Sequence, residues 1–151
     1  MCHLNAVKHH LLEGAPDNRV FTYELQHRGE HSTFDDFYPP SNMSKDWVFH
    51  GDDLQYLFYK KNQSLTKGED LFVSRIMVDL WTNFAASGHP TPDLALGFKW
   101  EPMTSAEESY LAITSSPSME AFENQQVQEF WRNMPMKTNK LLYPDRFLPM
   151  P

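Results

Sequence analysis

Apolar positions recur along this chain with two different periods. From the start, Leu4, Val7, Leu11 and Leu12 follow a helical spacing that Gly14, Ala15 and Pro16 close. The period then changes: Val20-Phe21-Thr22-Tyr23-Glu24-Leu25-Gln26 is rich in β-formers and stops before Gly29, which predicts a strand. The clearest helix signal follows, in Val73, Ile76, Met77, Leu80, Trp81 and Phe84. These make one apolar stripe over residues 69–87, where each fully buried large side chain contributes about 1.5–3 kcal/mol. Thr66 with Glu69 reads as a capping box, Glu69 and Asp70 suit the positive helix start, and Gly88 before Pro90 and Pro92 ends the element. Tyr110–Ile113 and Met119–Phe122 flank Ser115-Ser116-Pro117-Ser118 and predict two short edge strands; Val127, Phe130 and Trp131 suit a closing helix. Helix, turn, strand and then a loop is what an α/β sheet uses to carry a functional residue at a strand's end.

Composition adds limits. At 151 residues the chain can bury one sizeable core. A formal charge of -7 without long blocks of one sign disfavours nucleic acid and anionic membranes as partners. No apolar stretch approaches the roughly 20 residues needed to span a bilayer, and no basic start followed by an apolar run marks a signal peptide. Cys2 is the one cysteine, so no internal disulfide forms; such a thiol packs as a small hydrophobe. Asn42-Met43-Ser44 and Asn62-Gln63-Ser64 are sequons on polar stretches, which makes Asn42 and Asn62 candidate glycan acceptors.

The chemistry centres on His50. It sits in Trp47-Val48-Phe49-His50-Gly51-Asp52-Asp53-Leu54-Gln55-Tyr56-Leu57-Phe58, a tight loop between two apolar segments, with a glycine that permits a sharp turn. An imidazole with an ordinary pKa near 6.5 can accept a proton and return it close to neutral pH. Asp52 and Asp53 adjoin His50 too closely in sequence to meet its Nδ1 easily, and read as helix-start charge and buried polar network. His27-Arg28-Gly29-Glu30-His31 matches a His-x-x-Glu-His zinc signature, yet two histidines four apart share a zinc ion only on one helical face. The His27–His31 stretch follows a β-type run and contains Gly29, so chance explains that match better. No metal and no cofactor is expected.

The His50 segment resembles the histidine loop of the type-B carboxylesterase and cholinesterase family. The likeness continues in order: Phe21–Leu25 with Arg28-Gly29-Glu30-His31-Ser32, then Met77-Val78-Asp79-Leu80-Trp81-Thr82-Asn83-Phe84-Ala85 with Gly88, Pro90, Thr91 and Pro92, then Trp100 with Pro102, Tyr110-Leu111 and Phe130-Trp131. Tyr56-Leu57-Phe58 and the lack of a downstream cysteine look most like arthropod carboxylesterases. The resemblance implies an α/β-hydrolase fold, small-molecule carboxylic esters as substrates, a secreted or luminal setting, and His50 as the histidine of a serine triad. Such an enzyme carries its serine on a Gly-x-Ser-x-Gly elbow, in the chain order serine, acid, histidine. No elbow exists among these residues. The expectation is therefore that residues 1–151 are the C-terminal part of one carboxylesterase domain: a partial sheet with flanking helices, incomplete as an independent domain, inactive alone, with serine and acid supplied upstream. A cholinesterase-like adhesion or interaction domain is the alternative, and His50 in an intact-looking loop argues against it.

Overall fold

The computed structural model describes residues 2–14, 18–38, 45–58, 64–104, 106–122 and 125–148. Asn42 and Asn62 lie outside these residues, as does the side chain of Cys2. The elements in chain order are α1 (Cys2–Glu13), β1 (Tyr23–Leu25), α2 (Thr33–Phe37), α3 (Leu54–Leu57), α4 (Gly68–Ser87), β2 (Ser109–Ile113), β3 (Ser118–Ala121), α5 (Gln125–Asn133) and α6 (Lys137–Leu142), then a 3-10 turn over Pro144–Phe147. This is a partial α/β-hydrolase architecture, a small mixed sheet with flanking helices.

The sheet runs β1-β2-β3. β1 lies parallel to β2, with Tyr23 opposite Leu111 and Leu25 opposite Ile113, whereas β3 returns antiparallel, with Met119 opposite Leu111. β2 is thus central rather than an edge strand, and Leu111, Ala112 and Ile113 are fully buried. β1 is shorter than the apolar run that predicts it. The ladder stops because Gln26 N and His27 N both donate to the one carbonyl of Ile113, each at 3.0 Å. Before the strand, Val20 forms only an isolated bridge with Met103.

α4 covers the sheet. Val73, Ile76, Met77 and Leu80 bury against Tyr56, Leu111, Ile113 and Trp100, while Phe84, the last position of the predicted stripe, remains 49% exposed. Gly88 ends the helix in the left-handed conformation at φ 71°, which glycine adopts without a Cβ penalty. The start of α4 departs from the predicted capping box. Lys67 is the N-cap and gives no side-chain bond, because Thr66 Oγ1 donates instead to the Glu30 carboxylate at 2.7 Å. A second small core joins Leu4 and Val7 of α1 to Met103, with Leu11 beside it, whereas Leu12 is exposed. α5 forms the expected closing helix, but Val127, Phe130 and Trp131 are exposed on it while Gln128 is buried. Among the described residues no helix is long and apolar enough to cross a membrane.

Candidate active site

His50 stands on a turn tied at both ends. Asp52 N donates to Phe49 O at 3.1 Å and Leu54 N to Gly51 O at 3.2 Å, with Gly51 at φ 84°. That left-handed backbone explains the glycine beside the histidine. The His50 side chain is exposed, and among the described residues none pairs with its imidazole. An exposed imidazole on a fixed main chain is free to act on an outside group.

The two following carboxylates face away from it. Asp52 is buried and accepts four hydrogen bonds. Its Oδ2 takes Ser32 Oγ at 2.7 Å and Phe49 N at 2.8 Å; its Oδ1 takes Thr33 N at 2.7 Å and Thr33 Oγ1. Asp53 accepts the Tyr23 hydroxyl at 2.9 Å, which ties the start of α3 to β1. Burial, then the hydrogen bond to Asp53, then its charge push the Tyr23 phenol up to about 12. Neither aspartate therefore holds the imidazole as a triad acid would. Ser32 is no nucleophile either: it is buried, donates to Asp52 and accepts Phe34 N at 3.1 Å as the N-cap of α2.

His27 and His31 are not brought together on a helix, since residues 26–32 belong to no helix or strand. His27 Nε2 instead meets Asp70 Oδ1 at 2.7 Å, both side chains almost fully buried, and the His31 carbonyl accepts Gln55 Nε2 at 2.9 Å. Among the described residues no group of three or more histidine, cysteine, aspartate or glutamate side chains could hold a metal ion. Asp70 lies in the first turn of α4 as expected, and it is also a buried acceptor that takes Glu30 N at 3.0 Å. Between the two buried carboxylates lies Tyr56, itself 1% exposed. Its phenol is pushed well above the ordinary tyrosine value by burial, then by the charges of Asp70 and Asp52, with Arg28 opposing. The Gly29 amide approaches and opposes this slightly, but the hydroxyl forms no hydrogen bond of ordinary geometry.

Comparison with known proteins decides the family. The model of the carboxylesterase family matches residues 2–131, most of the chain. The chain belongs to the carboxylesterase family. It is 31% identical over 127 residues to a pyrethroid hydrolase of Mus musculus, covering 81% of this chain and 21% of that protein. It is 37% identical over 105 residues to a bile salt-activated lipase of Homo sapiens, covering 63% and 14%. With a juvenile hormone esterase of Tribolium castaneum it shares 38% over 77 residues, 48% of this chain and 13% of that enzyme. The chain thus spans about a fifth or less of the length of these relatives, which are named as a hydrolase, a lipase and an esterase.

Proposed function

We propose that residues 1–151 are the C-terminal part of a serine carboxylic ester hydrolase domain and that His50 is its general base and general acid. The observation that carries this reading is the exposed imidazole on a turn whose main chain is tied down while both adjacent carboxylates are engaged elsewhere. In the complete site a serine from another segment attacks the ester carbonyl and gives its proton to His50. The imidazolium, held by a carboxylate also from elsewhere, then protonates the leaving alcohol; water repeats the cycle on the acyl-enzyme. No step calls for a cofactor. The substrates are small-molecule esters, as the names of the relatives support, and the acyl pocket is built mostly outside this chain. A secreted or luminal setting, with glycans at Asn42 and Asn62, fits the two sequons on polar stretches flanking the His50 segment.

The test is a chimera in which this chain replaces the matching C-terminal segment of the mouse pyrethroid hydrolase. H50A should lower turnover of an activated phenyl ester by about a thousandfold or more, as loss of a triad member does. H31A, whose side chain takes no part in the described bonds, should not. Near-normal turnover by H50A would remove the assignment.

A further inference from the structure

Two segments distant in sequence meet around one carboxylate. Asp52 is only 3% exposed, and each of its oxygens receives one backbone N–H and one hydroxyl: Phe49 N and Ser32 Oγ at Oδ2, Thr33 N and Thr33 Oγ1 at Oδ1. The Thr33 hydroxyl, which donates to Asp52, also lies 3.1 Å from the His50 carbonyl, a second acceptor within reach of its one proton. Rings reinforce the join, since Phe34 stands edge-on to Phe49 at 5.4 Å between centroids. Through the Asp52 carboxylate, the residue before His50 and the residue two beyond it are tied to Ser32 and Thr33.

We propose that Asp52 is a positioning residue: its carboxylate, clasped by Ser32 and Thr33, fixes the main chain that aims the His50 imidazole. This rests on the reading of His50 as the general base, but the clasp itself can be measured without catalysis. The chemistry demands a carboxylate. A buried acceptor of four donors is stable only while all four are matched. In D52N one oxygen becomes an NH2 group, and whichever way the amide turns it faces a backbone N–H, that of Thr33 or that of Phe49. Neither donor can rotate away, so one side of the clasp must open. The same geometry separates Asp52 from a triad acid, because it touches the peptides around the imidazole and not the ring.

Hydrogen exchange read by mass spectrometry on the chimeric hydrolase gives the first measurement, over the 151 residues of this chain. D52N should speed exchange at least about tenfold in peptides covering residues 31–36 and 47–54 while leaving α4 unchanged. T33V should do so partially, and T33S, which keeps the hydroxyl, should restore the wild-type rate. An unprotected Phe49 amide in the wild-type chain, an unchanged rate in D52N, or equal loss of protection across α4 would each overturn the clasp. The second measurement uses the chimeric hydrolase. D52N should lower kcat about a hundredfold, the scale of an ångström-sized misplacement of a reacting group, with KM almost unchanged. A serine-directed fluorophosphonate should still label to full stoichiometry, only more slowly, and T33S should again behave as wild type. Loss of labelling stoichiometry would show a folding defect, and unchanged kcat would show that aiming does not matter; both sink the proposal. Failure of the His50 reading shows separately, as normal turnover by H50A.

Discussion

Gly29 is required by a close approach and not by its backbone angles, and this yields a quantitative prediction. A Cβ placed there would lie 2.1 Å from Tyr56 Oη, 2.8 Å from Asp70 Oδ1 and 3.2 Å from Asp70 Cγ. None of these atoms can retreat cheaply. The Tyr56 ring belongs to the main core, and Asp70 is pinned by His27 Nε2 and Glu30 N. G29A should therefore destabilise the packing of the 26–32 segment on α4 by about 1–3 kcal/mol, the usual range for overpacking. At a factor of ten per 1.4 kcal/mol, exchange of α4 amides should quicken about 5- to 150-fold. Tyr56 offers the compensating change. Its hydroxyl is buried without a hydrogen bond, and an unsatisfied buried hydroxyl costs on the order of 1–3 kcal/mol. Y56F should thus be neutral or stabilising by up to about 1 kcal/mol, although core substitutions usually destabilise. In G29A/Y56F the worst contact is gone while the one to Asp70 remains, so the pair should be non-additive by more than about 1 kcal/mol in the favourable direction. Exchange of α4 and β1 peptides in the four proteins measures this cycle. A loss of about 2 kcal/mol in Y56F would mean that the phenol has a partner, and strict additivity would mean that the clash lies elsewhere; either outcome refutes the reasoning.

Other predictions concern charge and chemistry. Tyr23 should titrate near 12, so its contribution to stability is complete below the ordinary value of 10.0 and is lost as pH rises from there through about 12. D53N removes the hydrogen bond to a carboxylate and its charge but not the burial, so the phenolate absorbance midpoint should fall and remain above 10.0; an unmoved midpoint would mean that Asp53 is not its partner. Glu129 is held below its ordinary 4.5, first by the hydrogen bond from Arg146, which ties the 3-10 turn to α5. That tie acts above pH 4.5 and fades as pH falls through the lowered value; protection of residues 144–147 should follow it, and R146Q should abolish the pH dependence. Incubated alone with an activated phenyl ester and a fluorophosphonate, the 151-residue chain should give background hydrolysis and no adduct, because no elbow aligns a serine with oxyanion donors. A stoichiometric adduct on one serine, lost in H50A, would show a complete site within these residues.

What was legible in the sequence was what local physics decides. The stripe from Val73 to Leu80 buries because a 3.6-residue period puts those side chains on one face whatever they meet. Gly51 and Gly88 occupy left-handed turns because other residues rarely do. The turn over residues 114–117 joins β2 to β3 because neighbouring strands pair most readily. What was not legible depended on partners remote in sequence. Nothing beside Asp70 distinguishes a helix-start charge from a buried acceptor; the difference is made by His27, 43 positions away, and by the amide of Glu30, 40 away. Likewise Thr66 bonds Glu30 instead of capping α4, and β2 becomes central because β1, far earlier in the sequence, lies parallel to it.

α5 shows the same boundary from the other side. Its period states that Val127, Phe130 and Trp131 form an apolar face, but not what covers that face, and here they remain exposed. The buried polar groups divide differently. Asp52 and Asp70 each join a helix start to the 27–33 segment, and the unbonded Tyr56 hydroxyl lies between them. Two carboxylates, one tyrosine and a glycine that makes room for it thus hold the loop that precedes α2 against α3 and α4. The His50 turn inherits its rigidity from that join. Its four defining bonds span from 3 to 20 residues, long enough that no motif announces them and short enough to close within one small region of the chain. A single histidine loop can therefore keep its geometry while the chain around it leaves much apolar surface open, since what aims the imidazole is local and saturated, whereas what covers the helices is not.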